Sequence, residues 1–246
     1  MVPQKNIFFD RNQPFHILSR AVEGREIFKE KEDCLRFIFQ MYAANTGKPA
    51  FNLRRKDIVE IARNILAGEK IASDAVINEH PPLVSILSFS LVFNHYHFSL
   101  VANVKGGITS FMQRLNIGFA KYINLKYKRR GALFESRYKA VPVQSDFQMD
   151  AVLRYINIIN PLDVYQPGWR DVGLTDQERA FKFLDEYQFS SFPDIFGRRN
   201  SKITAPQEML EKFLSIGIKA DSKEYIKFIK DFLENKKSHF PSIFLE

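Results

Sequence analysis

The run "LVSILSFSLVFNHYHFSL", residues 83–100, constrains this chain more than any other stretch. Branched and aromatic residues dominate it and it holds neither proline nor glycine, so it reads as strand. Its most apolar part, "ILSFSLVF" at 86–93, is far too short to cross a bilayer. Residues i and i+2 of a strand share a face, which sets His95 and His97 side by side and turns Tyr96 and Phe98 the other way. Neutral imidazole is a common metal ligand, and two rings on one face can share an ion. The same pattern also fits two histidines on the solvent side of a half-buried strand.

Around this run the hydrophobic period switches repeatedly. "PFHILSRAV" (14–22) reads as a first strand and "DCLRFIFQMYAA" (33–44) as a helix. Residues 46–80 read as an insertion carrying a helix over "RKDIVEIARNILAG", closed by Gly68. Ile108, Phe111, Met112, Leu115, Phe119, Tyr122 and Ile123 recur at helical spacing after the histidines. "SRYKAVPVQ" (136–144) reads as a strand, an edge one because of Pro142. "DFQMDAVLRYINIIN" (146–160) is a helix opened by Ser145 or Asp146 and stopped by Pro161. The order β, α, β(β), α, β, α predicts an α+β fold: a ferredoxin-like, mixed or antiparallel sheet with helices on one face. Beyond Trp169 the pattern is helical, ending in "DSKEYIKFIKDFLEN", where Asp221 and Glu224 form a capping box. We therefore expect a domain over 1–165, with its insertion, and a helical extension over 166–246.

Net charge +8 and a pI near 9.4 point to a polyanionic partner. Between 121 and 139, Lys121, Lys126, Lys128, Arg129, Arg130, Arg137 and Lys139 face only one acid, Glu135. Tyr122, Tyr127, Phe134 and Tyr138 are interleaved with them. Phosphate-tracking surfaces with stacking platforms have this composition, and Arg114 on the preceding helix joins the candidate set. The competing explanation is a solvated helix end with favourable dipole charges. The single cysteine, Cys34, excludes an internal disulfide framework, reads as a core residue, and fits a reducing cytoplasm. The first residues lack a signal-peptide h-region, and no membrane partner is expected.

Five blocks, "PFHILSRAVEGREIFKEKEDCLRFI", "LSFSLVFNHYHFSL", "GITSFMQRLNIGFAKYINLKYKRRGALFESRYKAVPV", "LRYINIINP" and "FSSFPDIFG", occur in the order seen in single-tyrosine HUH transposases. In particular they resemble the REP-associated tyrosine transposases. The resemblance spans roughly residues 14–197. It implies a metal-dependent endonuclease and strand-transferase on single-stranded or hairpin DNA. His95, His97 and a polar residue of the last helix would hold Mg or Mn, and a tyrosine of that helix would form a 5′-phosphotyrosine. The matching tyrosine is Tyr155. The family spaces tyrosine and third ligand four apart; here Asn160 lies five away, about 140° around a regular helix. A one-residue π-bulge would restore the facing. Otherwise the last turn unwinds, water or Asn157 fills the position, or alignment on Asn-Pro puts Ile156 at the nucleophile and leaves a non-cleaving DNA- or RNA-binding protein. A plain phosphodiesterase would dispense with Tyr155. His16 is expected to pack or touch the sheet face, and His80 and His239 to lie in loops. The tail, 198–246, could guide DNA, mask a surface or make a homodimer.

Overall fold

Two residues, Phe93 and Asn94, turn the long apolar run back on itself, giving strand β2 (Val84–Val92) and strand β3 (His95–Ala102). The computed structural model describes residues 12–46, 52–71 and 81–213. Strand β1 (Pro14–Arg20) pairs with β3 on one side and with β4 (Lys139–Pro142) on the other. The sheet is antiparallel with order β2-β3-β1-β4, the ferredoxin-like arrangement, and Pro142 lies on an edge strand as its missing N–H requires.

Strand alternation sorts the sheet into two faces. Phe15 and Ile17 of β1, Phe89 and Leu91 of β2, and Tyr96 and Phe98 of β3 point to a core shared with helices α1 (Lys31–Asn45), α2 (Ile58–Ala67) and α3 (Gly107–Lys126). Phenylalanine builds its centre: Phe37 meets Tyr96 and Phe119 at 4.8 Å between ring centroids in each case. Gly118 lets α3 approach α1, because a Cβ there would lie 2.2 Å from Gln40 Nε2. Gly68 closes α2 in the left-handed region, as its position in the sequence implies.

Helices on a single face describe only this half of the molecule. The opposite face is covered by α4 (Asp146–Arg154), a π-turn (Tyr155–Ile159) and α5 (Asn160–Tyr165), packed on Leu87, Val101 and Val143. Helices α6 (Trp169–Val172), α7 (Gln177–Glu186), α8 (Phe192–Ile195) and α9 (Gln207–Phe213) contribute Trp169, Leu184, Ile195 and Leu210 to the same core. A bulge makes this packing possible: Leu87 is an extra residue between the Ile86 and Ser88 pairings, which adds it to the second face. Between α7 and α8 the chain also extends the sheet, with Leu91 N donating to Phe189 O and Ser191 N to Phe89 O, so the stretch after Trp169 is not wholly helical. Ser145 caps α4 through its hydroxyl. Pro161 does not end the helix, which runs on to Tyr165. His80, His239 and the 221–235 helix with its capping box lie outside the described residues.

A buried carboxylate ties α1 to α3. Asp33 accepts from Tyr122 Oη at 2.7 Å, Tyr127 Oη at 2.6 Å and Lys126 Nζ at 2.7 Å, and Lys126 also reaches Glu30. Lys126 is thereby an internal ion-pair partner, a correction to its expected place among the DNA-facing cations.

Burial, first among the causes, raises the pKa values of Tyr96, Tyr122 and Tyr187, pushes Tyr127 up to about 12, and lifts the Cys34 thiol from 9.0 to about 12. A folded-state pKa above the unfolded one adds stability that is complete below the unfolded pKa and disappears as pH rises through the folded one. The urea midpoint should therefore hold steady to about pH 9 and fall between about pH 9 and 12. A midpoint unchanged at pH 11 would contradict this.

Candidate active site

The face of β3 opposite Tyr96 and Phe98 carries His95, His97 and Ser99. In register, His97 lies between Leu18 of β1 and Ser90 of β2, and His95 between Arg20 and Val92. His97 is fully buried. His16 reaches it diagonally from β1: His16 Nε2 is 2.9 Å from His97 Nδ1, and the rings stack with centroids 5.1 Å apart. His95 Nδ1 is 2.6 Å from Asn94 Oδ1. Each β3 imidazole thus has its Nδ1 engaged by a neighbour. When His97 Nδ1–H is the donor, Nε2 keeps its lone pair, the form that suits a metal ligand. Burial foremost, then the nearby His95, His16, Arg20 and Arg170, hold the His97 pKa well below its ordinary value, so the ring is neutral at pH 7.

Tyr155 arrives from the helix above. Its ring lies 5.2 Å from that of His97 and 5.9 Å from that of His16, nearly edge-on to both. The five-residue spacing to Asn160 is absorbed by the π-turn, where Asn160 N donates to Tyr155 O across five residues. Two local features favour this wider turn. In a regular helix the Pro161 ring would strike the carbonyl four residues back, and Asn157 Nδ2 takes the Leu153 carbonyl. Asn160 then points to the sheet, its Nδ2 3.4 Å from Ser90 Oγ, the hydroxyl paired in register with His97.

Of the alternatives open in the sequence, the chain adopts the π-bulge. Asn157 is occupied at both ends, accepting from Ser191 Oγ at 2.6 Å while donating to Leu153, and Ile156 is buried in the second core. His97 Nε2 and Asn160 Oδ1 are both buried without a hydrogen-bond partner. Native proteins rarely leave such atoms unpaired, and a divalent ion would satisfy both. The donors fit one: two imidazoles and an amide oxygen. Among the described residues no three His, Cys, Asp or Glu side chains are grouped to hold a metal; an ion on the two histidines would take its third protein donor from the amide.

Lys121, Lys128, Arg130, Arg137 and Lys139 are exposed. Lys139 lies beside Leu18, on the face that carries His97. Arg137 lines a groove of about 480 Å³ between α3 and Tyr138, on the α3 side. Arg114 and Arg129 are half-buried, and Arg129 bonds Asn124 Oδ1 and the Ala132 carbonyl, which gives it a turn-bracing role. Sequence reasoning assigned no site role to His16, Arg20, Arg170 or Ser191. The period of two places His16 with Arg20 on one face of β1, but nothing local reveals which strand they meet.

The antiparallel β2-β3-β1-β4 sheet thus carries a histidine pair beneath a helix-borne tyrosine. Residues 78–158 match the family described as "Transposase IS200 like", and this segment is similar to that family. The matched segment contains His95, His97 and Tyr155 and stops short of Asn160. No curated protein and no solved structure gave a match. No helix among the described residues is long and apolar enough to cross a membrane.

Proposed function

We propose that the protein cleaves and rejoins single-stranded or hairpin DNA through a covalent tyrosine intermediate. The observation that carries this reading is the π-turn, which sets Tyr155 and Asn160 over the histidine pair despite their five-residue spacing. Tyr155 Oη attacks phosphorus, the P–O3′ bond breaks, and a 5′-phosphotyrosine and a 3′-hydroxyl result, the phenolic proton being balanced by the one the 3′-oxygen gains. Attack of a 3′-hydroxyl on the phosphotyrosine reverses the process, so the bond energy is conserved and no nucleotide cofactor is needed. His95, His97 and Asn160 would hold Mg or Mn, whose chemistry is to polarise the phosphate and offset the charge that develops on it. His16 fixes the His97 ring, and Ser90 the Asn160 amide.

Calorimetric titration with manganese tests the metal part. The wild type should bind, and His95→Ala should lose binding while keeping its unfolding midpoint. His16→Ala should weaken binding about 10–100-fold, the usual effect of removing a partner of a metal-bound histidine. Wild-type affinity in a folded His95→Ala protein removes the ion from the reading.

A further inference from the structure

His97 and His16 meet the Tyr155 ring from the sheet; a third neighbour comes from outside it. Arg170, on α6, places its guanidinium carbon 5.6 Å from the Tyr155 ring centroid. Arg170 is itself held. Asp163, three residues after Asn160 on α5, accepts from Arg170 Nε at 3.1 Å and from its NH2. Trp169 Nε1 donates to the same carboxylate at 2.9 Å, and the indole is anchored in the second core. Gln166 closes the segment that carries α6: its Nε2 donates to the Gly173 carbonyl at 2.7 Å and its Oε1 accepts from Thr175 N at 3.0 Å. The chain from Tyr155 to Arg170 thus closes on itself, with Asn160 and Asp163 of α5 in between.

Because Asp163 neutralises the guanidinium, Arg170 brings the site a fixed shape and not a surplus charge. A two-point ion pair locks the plane of a guanidinium, and an aromatic ring face attracts that plane. An unbraced tyrosine turns about two side-chain bonds, and its oxygen lies at the far end of the lever. A reacting atom must stand about 3–3.5 Å from its partner, and a shift of about 1 Å costs roughly 100-fold in rate. We propose that Arg170, clamped by Asp163, is a positioning residue for Tyr155: it fixes the ring beside His97 so that Oη stays aimed at phosphorus. The inference rests on the nuclease reading for the chemistry at Oη. It draws α6 into the site, beyond residue 158, where the match to the known family ends.

The test uses the full chain with isotope-labelled tyrosine and histidine rings. Proton NMR of the wild type should show strong cross-relaxation between the Tyr155 and His97 rings. In Arg170→Ala and Asp163→Ala this signal should weaken, while the cross-strand signals of the sheet stay in place. Asp163→Asn keeps an oxygen acceptor for Arg170, guards against an alanine variant that fails to fold, and should fall in between. With manganese and saturating hairpin DNA, Arg170→Ala should form the covalent adduct roughly 10–100-fold more slowly at an unchanged half-saturating DNA concentration. The double alanine variant should match the slower single one, because Asp163 acts through Arg170. An unchanged ring signal in a folded Arg170→Ala protein overturns the proposal. Adduct formation by that variant at the wild-type rate also overturns it and leaves the nuclease reading standing. If the ring signal weakens as expected but the wild type forms no adduct with any hairpin, the positioning of Tyr155 stands and the nuclease reading falls.

Discussion

Tyr155→Phe should bind DNA and unfold like the wild type, yet form no protein–DNA adduct that survives denaturing electrophoresis. Phe preserves the ring against His97, His16 and Arg170 and removes only the oxygen that would attack phosphorus. Its stability cost should stay within about 1–2 kcal/mol, the scale of one hydrogen bond. The loss of adduct should be complete, because Phe has no oxygen with which to form the phosphotyrosine bond. The wild type, given manganese and a pool of hairpin substrates, should form the adduct. Cleavage that persists in Tyr155→Phe would make water the nucleophile and the protein a phosphodiesterase. Tight hairpin binding by the wild type with no cleavage anywhere in the pool would make it a binding protein.

The largest effect on stability should come from Asp33, far from the site. Its carboxylate is fully buried and takes three hydrogen bonds from α3 and the residue after it, one of them from an ammonium. Asp33→Ala leaves Lys126 partly buried beside an apolar gap and strands two tyrosine hydroxyls. Breaking a buried ion pair from one side costs about 3–5 kcal/mol, much of a typical domain's margin. Asp33→Asn keeps the shape and some acceptor capacity and should cost less. Urea unfolding with unchanged slope measures both. An alanine variant within about 1 kcal/mol of wild type would show that Glu30 alone suffices for Lys126.

Much of the fold can be read along the chain because period and punctuation are local properties. Alternation in "FNHYHFSL" puts His95 and His97 together on one face, Ser145 and Gly68 mark helix ends, and the order of elements points to the ferredoxin-like sheet. The spacing of Tyr155 and Asn160 is equally plain, and it requires either a widened turn or a lost site. Which of these occurs is not local. The π-turn is held from outside by Ser191, which bonds Asn157 from a segment paired to the edge of β2. Strand register, likewise a long-range property, brings His16 to His97 and Arg20 to His95. Charge misleads for the same reason: Lys126 belongs to a basic run along the chain, but folding brings Asp33 to it before any phosphate can. Periodicity assigns each side chain to a face. Only the packing of distant segments decides what stands opposite that face, because a hydrogen bond or an ion pair depends on distance in space and not on separation along the chain.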